Sequence, residues 1–452
     1  MSIWAQHSSQ YHLYPLGCLN APQRNTFLDR PADRVSQLYP WLDYLQDLGT
    51  DTLLIGPVQQ SSAHGYDIAD YFLIDGRLGS NQDFADFSRE LHGRGMKLVF
   101  DAVFHHTGRD FWAFRDILGH GQSSVYRDWY HLDFSGRSPY GDLFSYEGWA
   151  GHYDLVKLNL RNTGVKDHLF AAVTSWVDQF DVDGLRLDAA DRLDPDFRRH
   201  LVSHCATLKP GFWLMGEVVH GDYGNWAHDG GLSSTTNYEV YKSLWSAHND
   251  RNYFELGYSL NRQFGEGGLY RDLNLYSFAD NHDVDRVAST LSNPAHLYPL
   301  YLLLFTMPGI PSLYYGSEWG IEGRRSSNSD AALRPAVSPA SLKENARHAD
   351  LYPVIKHLLS IRRQQSALRE GKYTSLHIDH EQLAFIRGSG TGSLVVAVNS
   401  SNTARDITLT LPGVKDGYLT DLLNGGEIVQ VTNGLCTLSL ASCWGRILTL
   451  SC

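Results

Sequence analysis

The chain has 452 residues, of which 42% are hydrophobic, and it carries a formal net charge of −12 at neutral pH. This length exceeds that of one ordinary domain, and the hydrophobic content is too high for a disordered chain. The acidic balance offers no surface for nucleic acid, and no apolar run approaches the roughly 18 residues of a membrane span. We therefore expect no nucleic acid and no membrane among its partners.

The N-terminus and the cysteines bear on the cellular compartment. Residues 1–10 contain no basic segment followed by an apolar core, so they do not resemble a secretory signal. The five cysteines show no metal-ligand spacing with neighbouring histidines. Because free thiols are typical of a reducing compartment, we expect a cytoplasmic protein.

Short apolar runs alternate with amphipathic stretches from about residue 10 to residue 365. The first such stretch places Val35, Leu38, Leu42 and Leu45 on one helix face before a stop at Gly49. This alternation is typical of strand–helix units in a parallel sheet. The predicted strands are 11–16, 52–55, 97–100, 184–187, 212–215, 275–279 and 310–314.

Two regions interrupt that rhythm. Residues 106–154 are aromatic and rich in Gly, Ser and Asp, and a segment of this length after a strand usually serves a function. After about residue 371, short runs of period two alternate with turns such as Asn433-Gly434, which indicates antiparallel strands.

The sequence thus predicts an α/β chain, a (β/α)8 TIM barrel with an inserted subdomain after strand 3 and a C-terminal antiparallel β-sandwich domain. The predicted parts are the first part of the barrel, the inserted subdomain, the second part of the barrel and the C-terminal domain. Their boundaries are 1–105, 106–154, 155–370 and 371–452.

Two predicted strands end in carboxylates at neighbouring positions of the barrel. Asp188 follows Arg186 by two residues, so both side chains point to the same face of an extended chain. A near-bidentate contact with Arg186 would hold Asp188 as an anion. Glu217 ends the next strand, where burial and the charge of Asp188 would raise its pKa. Such a pair suits glycosidic-bond cleavage, which needs an acid and an anionic carboxylate.

Simpler interpretations exist for each motif taken alone. Arg186 and Asp188 could form a structural ion pair, and residues 281–283 could be a turn that caps a helix. His105 and His106 could be buried histidines bonded to backbone. The functional interpretation gains weight because all of these residues fall at the carboxyl ends of predicted barrel strands, where such barrels keep their active sites.

Four segments in sequence order resemble the α-amylase superfamily of retaining α-glucoside hydrolases and transglycosylases. The resemblance covers nearly the whole chain, and the four motifs together are very specific. The segments are 101–106, 184–188, 216–217 and 278–283.

The resemblance implies roles for individual residues. Asp188 matches the covalent nucleophile, Glu217 the general acid/base, and Asp283 the third carboxylate, which binds hydroxyls of the distorted sugar. The resemblance also implies four substrate-binding or positioning residues. These are Arg186, which positions the nucleophile, the sugar-binding histidines His106 and His282, and Tyr66, the aromatic platform under the sugar. Asp101 matches a structural carboxylate.

Two departures from the family pattern narrow the expectations. His105 stands where many members have an asparagine that binds structural calcium, and imidazole is a poor calcium ligand. We therefore expect no cofactor and no metal at this site, and leave calcium elsewhere open. Asp191-Arg192 replaces a Lys-His pair common in starch-cleaving members, so an endo-acting starch enzyme is disfavoured.

The resemblance is strongest to the neopullulanase, cyclomaltodextrinase and maltogenic amylase group. Members of that group usually carry an N-terminal β domain that helps to build a dimer, and the first predicted strand here begins near Tyr11. Val219 replaces a tryptophan two residues after the acid/base position, which should open the leaving-group side. We expect an oligosaccharide substrate, small or cyclic, such as cyclic maltosyl-maltose or a cyclodextrin, and leave a homodimer open.

Two other functions stay open at this stage. Retaining chemistry also permits a transglycosylase or isomerase, such as a trehalose synthase, when a sugar rather than water intercepts the glycosyl-enzyme. A non-catalytic sugar-binding protein is the third reading, because fold alone never settles function. The presence of all three carboxylates disfavours it.

Overall fold

The computed structural model describes residues 3–27, 30–228, 231–327 and 329–451. Its centre is an eight-stranded sheet in which all paired neighbours run parallel. The strands, in chain order, are β1 Gln10–Leu13, β2 Thr52–Ile55, β3 Lys97–Ala102, β4 Gly184–Leu187, β5 Trp213–Gly216, β6 Ser234–Thr235, β7 Tyr276–Phe278 and β8 Ile310–Tyr314.

The sheet curls into a barrel. The spatial order is β6-β5-β4-β3-β2-β1-β8-β7, and a parallel bridge between Thr236 and Tyr276 joins the two ends. The register sets Arg186 of β4 beside Asp101 of β3 and Met215 of β5. Because strands in a barrel alternate inward and outward side chains, this register decides which polar groups meet inside.

Helices surround the sheet, and several of them bury one apolar stripe. Tyr39–Leu48 buries Trp41, Leu42, Leu45 and Leu48 and ends at Gly49, whose φ of +97° is readily adopted only by glycine. The α-helices are Ile3–His7, Pro15–Cys18, Tyr39–Leu48, Asn81–Gly93, Trp112–His120, Thr163–Phe180, Pro195–Leu208, Gly224–Ala227, Tyr238–Asn249, Tyr253–Phe264, Val287–Thr290, Leu297–Thr306, Pro339–Glu344, Leu351–Gln364 and Ser366–Glu370. None of the described helices is both long and apolar enough to cross a membrane.

Two excursions leave the barrel on the side where the strands end. After β2, Gln59–Ser61 pairs antiparallel with Ile68–Ile74. After β3, a three-stranded antiparallel sheet and a small hairpin enclose the helix Trp112–His120. The three strands are His106–Gly108, Gly148–Trp149 and His152–Lys157, and the hairpin pairs Leu132–Asp133 with Ser145–Tyr146.

The C-terminal region is antiparallel, as predicted. A six-stranded sheet faces a two-stranded one across a separate apolar core. The six strands, in spatial order, are Tyr373–Ile378, Gln382–Arg387, Leu394–Asn399, Trp444–Ser451, Gly417–Asp421 and Ile428–Val431, and the pair is Arg405–Thr410 with Leu435–Leu440.

The structure confirms the predicted fold class and corrects some of its elements. The first strand stops at Leu13 rather than at residue 16, because Pro15 begins a helix. Strand β6 was missed, since Ser234–Thr235 is two residues long and polar and shows no apolar run. Outside these two strands, the predicted barrel strands differ from the observed ones by at most two residues at either end.

Candidate active site

A cavity of about 1130 Å³ opens at the end of the barrel where the strands terminate. Its lining includes five of the residues singled out by the sequence, namely Tyr66, His106, Asp188, Glu217 and Asp283. The other two, Arg186 and His282, lie beneath its floor and are 3% and 1% exposed. The structure therefore brings all seven predicted residues to one place.

Arg186 is the centre of the charge network. Its Nη1 donates to both carboxylate oxygens of Asp101, at 2.8 and 3.0 Å, and to Asp188 Oδ1 at 3.1 Å. Its Nη2 lies 2.7 Å from Glu217 Oε1. The register explains the geometry, because β4 runs between β3 and β5 and these three strands carry or precede the three carboxylates. One buried guanidinium thus contacts three carboxyl groups.

This sharing corrects the expected protonation of Asp188. The sequence suggested a near-bidentate contact with Arg186, but Asp101 takes that position and Asp188 receives one hydrogen bond. Burial, opposed by Arg186 and reinforced by Glu217, Asp101 and Asp283, raises the pKa of Asp188 well above its ordinary value. Burial also raises the pKa of Glu217. The two carboxyls consequently titrate as a pair that retains a proton above the usual carboxylate range.

Glu217 has further hydrogen-bond donors. The backbone N–H of Ala189 donates to Oε2 at 3.1 Å, and the Tyr238 hydroxyl donates to Oε1 at 3.3 Å. Tyr238 also accepts a bond from the Asn281 amide at 3.4 Å. Sequence reasoning missed Tyr238 because it begins the helix that follows the unrecognised strand β6.

Two neighbouring side chains, those of His282 and Arg334, stabilise the ionised form of Asp283. His282 Nε2 lies 2.8 Å from Oδ2, and Arg334 Nη2 lies 3.3 Å from Oδ1. Burial alone would raise the pKa of Asp283, but His282 and Arg334 together lower it below its ordinary value. Arg334 was not predicted, because it lies in an irregular segment far along the chain and its role is visible only in three dimensions.

His282 is fixed between two tyrosines. The Tyr66 and Tyr14 rings each lie at 9° to the imidazole plane, with centroids 5.4 and 6.0 Å away. The Tyr66 hydroxyl also contacts His282 Nε2 and donates to Asp101 Oδ2 at 2.9 Å. Tyr66 reaches this position from the hairpin after β2, and it is mostly buried, with 8% of its surface exposed.

His106 presents a neutral imidazole to the cavity. Its Nδ1 lies 3.2 Å from His105 Nδ1, and its Nε2 has no hydrogen-bond partner among the described residues. Burial, followed by the neighbouring histidines, lowers the pKa of His106 to about 3. An uncharged ring nitrogen without a protein partner is suited to bind a ligand hydroxyl.

Charged side chains of both signs, Lys157, Arg192 and Glu147, act on His105. Burial and then the charges of Lys157 and Arg192 lower its pKa to about 4. In the described ranges, no group of three or more His, Cys, Asp or Glu side chains is arranged to hold a metal ion. The expectation of no calcium at this position remains a prediction.

The cavity wall combines an aromatic shelf with an open side. Trp149 and His152, from the segment inserted after β3, stack at 5.6 Å with an interplanar angle of 25°. The lining also includes Val219, which is 38% exposed, and Asp191 and Arg192. Flat faces and a small side chain leave room for more than one sugar ring.

Comparison with known proteins agrees with this arrangement. The alpha-amylase family profile (alpha amylase, catalytic domain) matches residues 38–349. A cyclomaltodextrinase of Geobacillus thermopakistaniensis is 29% identical, over 87% of this chain and 66% of its own length. Neopullulanase 2 of Thermoactinomyces vulgaris is 31% identical, over 90% of this chain and 69% of its own.

A similar solved structure is that of cyclic α-maltosyl-(1→6)-maltose hydrolase from Arthrobacter globiformis. It superposes with a TM-score of 0.80 and 23% identity, covering 98% of this chain and all of that one, and so bears on the fold alone. The chain spans just under two thirds of the length of the cyclomaltodextrinase. From the extent of the family profile and the identity to neopullulanase 2, the chain belongs to the α-amylase family.

Proposed function

We propose that this protein hydrolyses α-glucosidic bonds in small or cyclic maltooligosaccharides with retention of configuration. One observation carries the proposal. Asp188 and Glu217 both contact the Arg186 guanidinium, and both line the cavity into which Asp283 also projects. Two carboxyls held close together by one cation, at the open end of a barrel, match the geometry of double displacement at a single carbon.

The proposed roles follow from position and charge. Asp188 attacks the anomeric carbon, Glu217 protonates the leaving oxygen and then activates water, and Asp283 accepts hydrogen bonds from the distorted sugar. His106 and His282 border the same ring, Tyr66 lies under it, and Arg186 orients the carboxyls.

The retained proton must lie on Glu217 when the bond breaks. In the free protein Glu217 accepts more hydrogen bonds than Asp188, and these bonds favour the ionised form of Glu217. A sugar at the site changes this balance, because the positive charge that develops at the anomeric carbon stabilises the Asp188 anion. The proton shared by the pair is then available to the leaving group from Glu217.

The substrate class is supported by the cavity and by the names of relatives. Val219 leaves the leaving-group side open, and the shelf of Trp149 and His152 offers flat faces to sugar rings. Two relatives are named cyclomaltodextrinase and neopullulanase 2. A compact ring of glucoses therefore suits this site better than a long starch chain.

We further propose that residues 106–154 form the subdomain that roofs the site and that 371–452 form a separate C-terminal domain. A cytoplasmic location is supported by the free cysteines Cys18, Cys205, Cys436 and Cys443 and by a relative named intracellular maltogenic amylase. A homodimer stays a prediction, which sedimentation analysis of the oligomeric state can test.

A hydrolysis panel tests the proposed function. The substrates are linear maltooligosaccharides, cyclodextrins, panose, pullulan, trehalose and cyclic maltosyl-maltose, with the anomer of each new product followed by proton NMR. We expect α-anomers first and the highest kcat/KM on a cyclic substrate, with activity lost in Asp188→Asn. Conversion of maltose to trehalose would instead identify an isomerase, and sugar binding with equal trace activity in both proteins would identify a binding protein.

A further inference from the structure

A second, smaller cavity lies at the opposite end of the barrel. Its volume is about 220 Å³. It is bordered by the residues before β7 and β8, such as Asn274 and Gly309, and by the start of the C-terminal sheet, such as Tyr373. The amino ends of the strands face this cavity, so it is separate from the site formed at their carboxyl ends.

Cations dominate the surroundings of this cavity. Its lining contains Arg271, Arg369, Lys372 and Arg387, with Arg362 buried directly behind Gly309. No ion pair involves any of these five side chains within the described ranges. Two carboxylates, those of Asp272 and Glu370, also line the cavity, and Asp51 lies near Arg362. Glu370 pairs with His7 at 2.7 Å, Asp51 accepts bonds from Ser9 and Thr52, and Asp272 faces solvent.

Arg362 and Arg387 are 1% and 2% exposed, and both donate hydrogen bonds to backbone carbonyls. The charge of the Asp51 carboxylate also acts on Arg362. Arg387 donates to Gly371 O at 2.9 and 3.0 Å and to Thr306 O at 2.6 Å. Arg362 donates to the carbonyls of Phe305, Leu368 and Gly309. Burial, followed by repulsion from Arg369, lowers the pKa of Arg362 to about 9. Burial, followed by repulsion from Arg362, lowers the pKa of Arg387 to about 9. Buried cations that lack a carboxylate as a hydrogen-bond partner are stabilised when an anion approaches them.

Unused donors border the same space. The Nε atoms of Arg271 and Arg369 are buried, and neither has a hydrogen-bond partner among the described residues. Among the described residues, Arg271 makes one long hydrogen bond, from Nη1 to Gly265 O at 3.3 Å. Guanidinium groups match the oxygens of phosphate in bidentate geometry and bind them by charge-assisted hydrogen bonds.

We propose that this cavity binds a phosphate group through Arg271, Arg369 and Lys372, with Arg387 supplying positive charge from behind. The group is either free inorganic phosphate or the phosphate of a monoester such as a sugar phosphate. The site lies on the far side of the barrel from Asp188, so the proposal does not depend on the proposed hydrolase activity.

Calorimetry on the full chain tests the proposal. Inorganic phosphate, glucose 1-phosphate and glucose are titrated separately at constant ionic strength, with chloride as the balancing ion. We expect one phosphate-bearing ligand per chain, and affinity at least tenfold weaker in both Arg271→Gln and Arg369→Gln. The control Arg347→Gln, an exposed arginine elsewhere, should bind like the wild type. Both test residues are half-buried, and circular dichroism checks that the variants fold.

The outcomes separate the ligand sources. Equal affinity for inorganic phosphate and glucose 1-phosphate identifies free phosphate as sufficient, whereas tenfold tighter binding of glucose 1-phosphate identifies a sugar phosphate. A melting temperature raised by phosphate, beyond the effect of chloride, supports either source. Absence of both heat and thermal shift, or unchanged affinity in the two variants, overturns the proposal.

Discussion

Arg186 decides how the charges of the site are distributed. A single guanidinium contacts Asp101, Asp188 and Glu217, and each contact lowers the cost of burying a carboxylate. Asp101 accepts two of the hydrogen bonds from the guanidinium, so Asp188 and Glu217 share its remaining contacts. A pair of carboxyls in which one proton is retained is what acid-assisted bond cleavage requires.

The role of Glu217 leads to a test with two kinds of substrate. In Glu217→Gln, hydrolysis of natural oligosaccharides should fall by roughly 10²–10⁴-fold, because the leaving oxygen is no longer protonated. Hydrolysis of α-glucosyl fluoride should fall much less, since fluoride leaves without a proton. Steady-state kcat/KM on both substrates gives the comparison. The control is Asp191→Asn, which changes a cavity carboxylate without a contact to Arg186. Equal losses on both substrates in Glu217→Gln would contradict the role of Glu217 as the general acid.

Tyr238 should tune the pH dependence. Its hydroxyl donates to Glu217 Oε1 and so stabilises the ionised form. Tyr238→Phe removes that bond, which raises the pKa of Glu217 and should move the alkaline limb of kcat/KM upward by roughly half to one pH unit. The pH profile of wild type and variant measures this. An alkaline limb that stays in place or moves downward would show that the hydroxyl does not stabilise the Glu217 anion.

At the scale of elements, β4 illustrates what the sequence could and could not reveal. Its bounds were predicted correctly, because Leu185 and Leu187 form a short apolar signal around Arg186 and the carboxylate Asp188 follows. Strand β6, which pairs with β5, was missed for the opposite reason, since Ser234–Thr235 carries no apolar signal. Missing β6 also affected the prediction of the active site, because Tyr238 begins the helix that follows β6 and was not identified.

The side chains that contact the predicted site residues were harder to identify from the sequence than the site residues themselves. Motif positions such as Asp283 could be found because they follow strand ends. Arg334, which contacts Asp283, lies in an irregular segment and has no periodic pattern or spacing that connects it to the site. The protonation of Asp188 could not be predicted either, since it depends on Asp101 taking the better contacts with Arg186.

The packing of β4 against β5 gives a prediction at this scale. A Cβ added to Gly184 would meet the Trp213 carbonyl oxygen at 2.5 Å and its Cβ at 3.0 Å. Gly184→Ala should therefore push the strands apart, lower the free energy of unfolding by roughly 1–3 kcal/mol and reduce activity through displaced Arg186 and Asp188. Urea unfolding and kcat report the two effects.

The matched control for that change is Gly119→Ala. A Cβ at Gly119 meets no heavy atom within 4 Å, and the residue lies in the helix Trp112–His120. Alanine there should leave stability unchanged or raise it by up to about 1 kcal/mol. Similar destabilisation of both variants would show that the close approach of the two strands is not the cause.

At the scale of the whole molecule, metal dependence is a first test. His105 stands where many members of the family have a calcium-binding asparagine, and imidazole is a poor calcium ligand. Chelation should therefore leave both activity and melting temperature within a few per cent of their starting values. Measurements with and without EDTA, followed by added calcium, provide the check. A large loss that calcium restores would reveal a structural calcium site.

Stability should also depend on pH through a carboxyl outside the active site. Glu318, just after β8, is fully buried and accepts hydrogen bonds from Tyr11, at 2.8 Å, and Tyr44. Burial, opposed by these hydroxyls, raises its pKa from 4.5 to about 7. The native state therefore holds a proton that the unfolded chain has released, and stability falls as the pH rises from about 4.5 to about 7.

Glu318→Gln should remove this dependence, because the amide cannot ionise but can still accept bonds from both tyrosines. The free energy of unfolding of the variant, relative to wild type, should rise by roughly 3 kcal/mol between pH 5 and pH 8. Urea unfolding at both pH values measures the difference, and contributions from other titrating groups cancel in the comparison. The exposed Glu344→Gln should show no such rise. A constant difference between wild type and Glu318→Gln at the two pH values would mean that Glu318 ionises in its ordinary range.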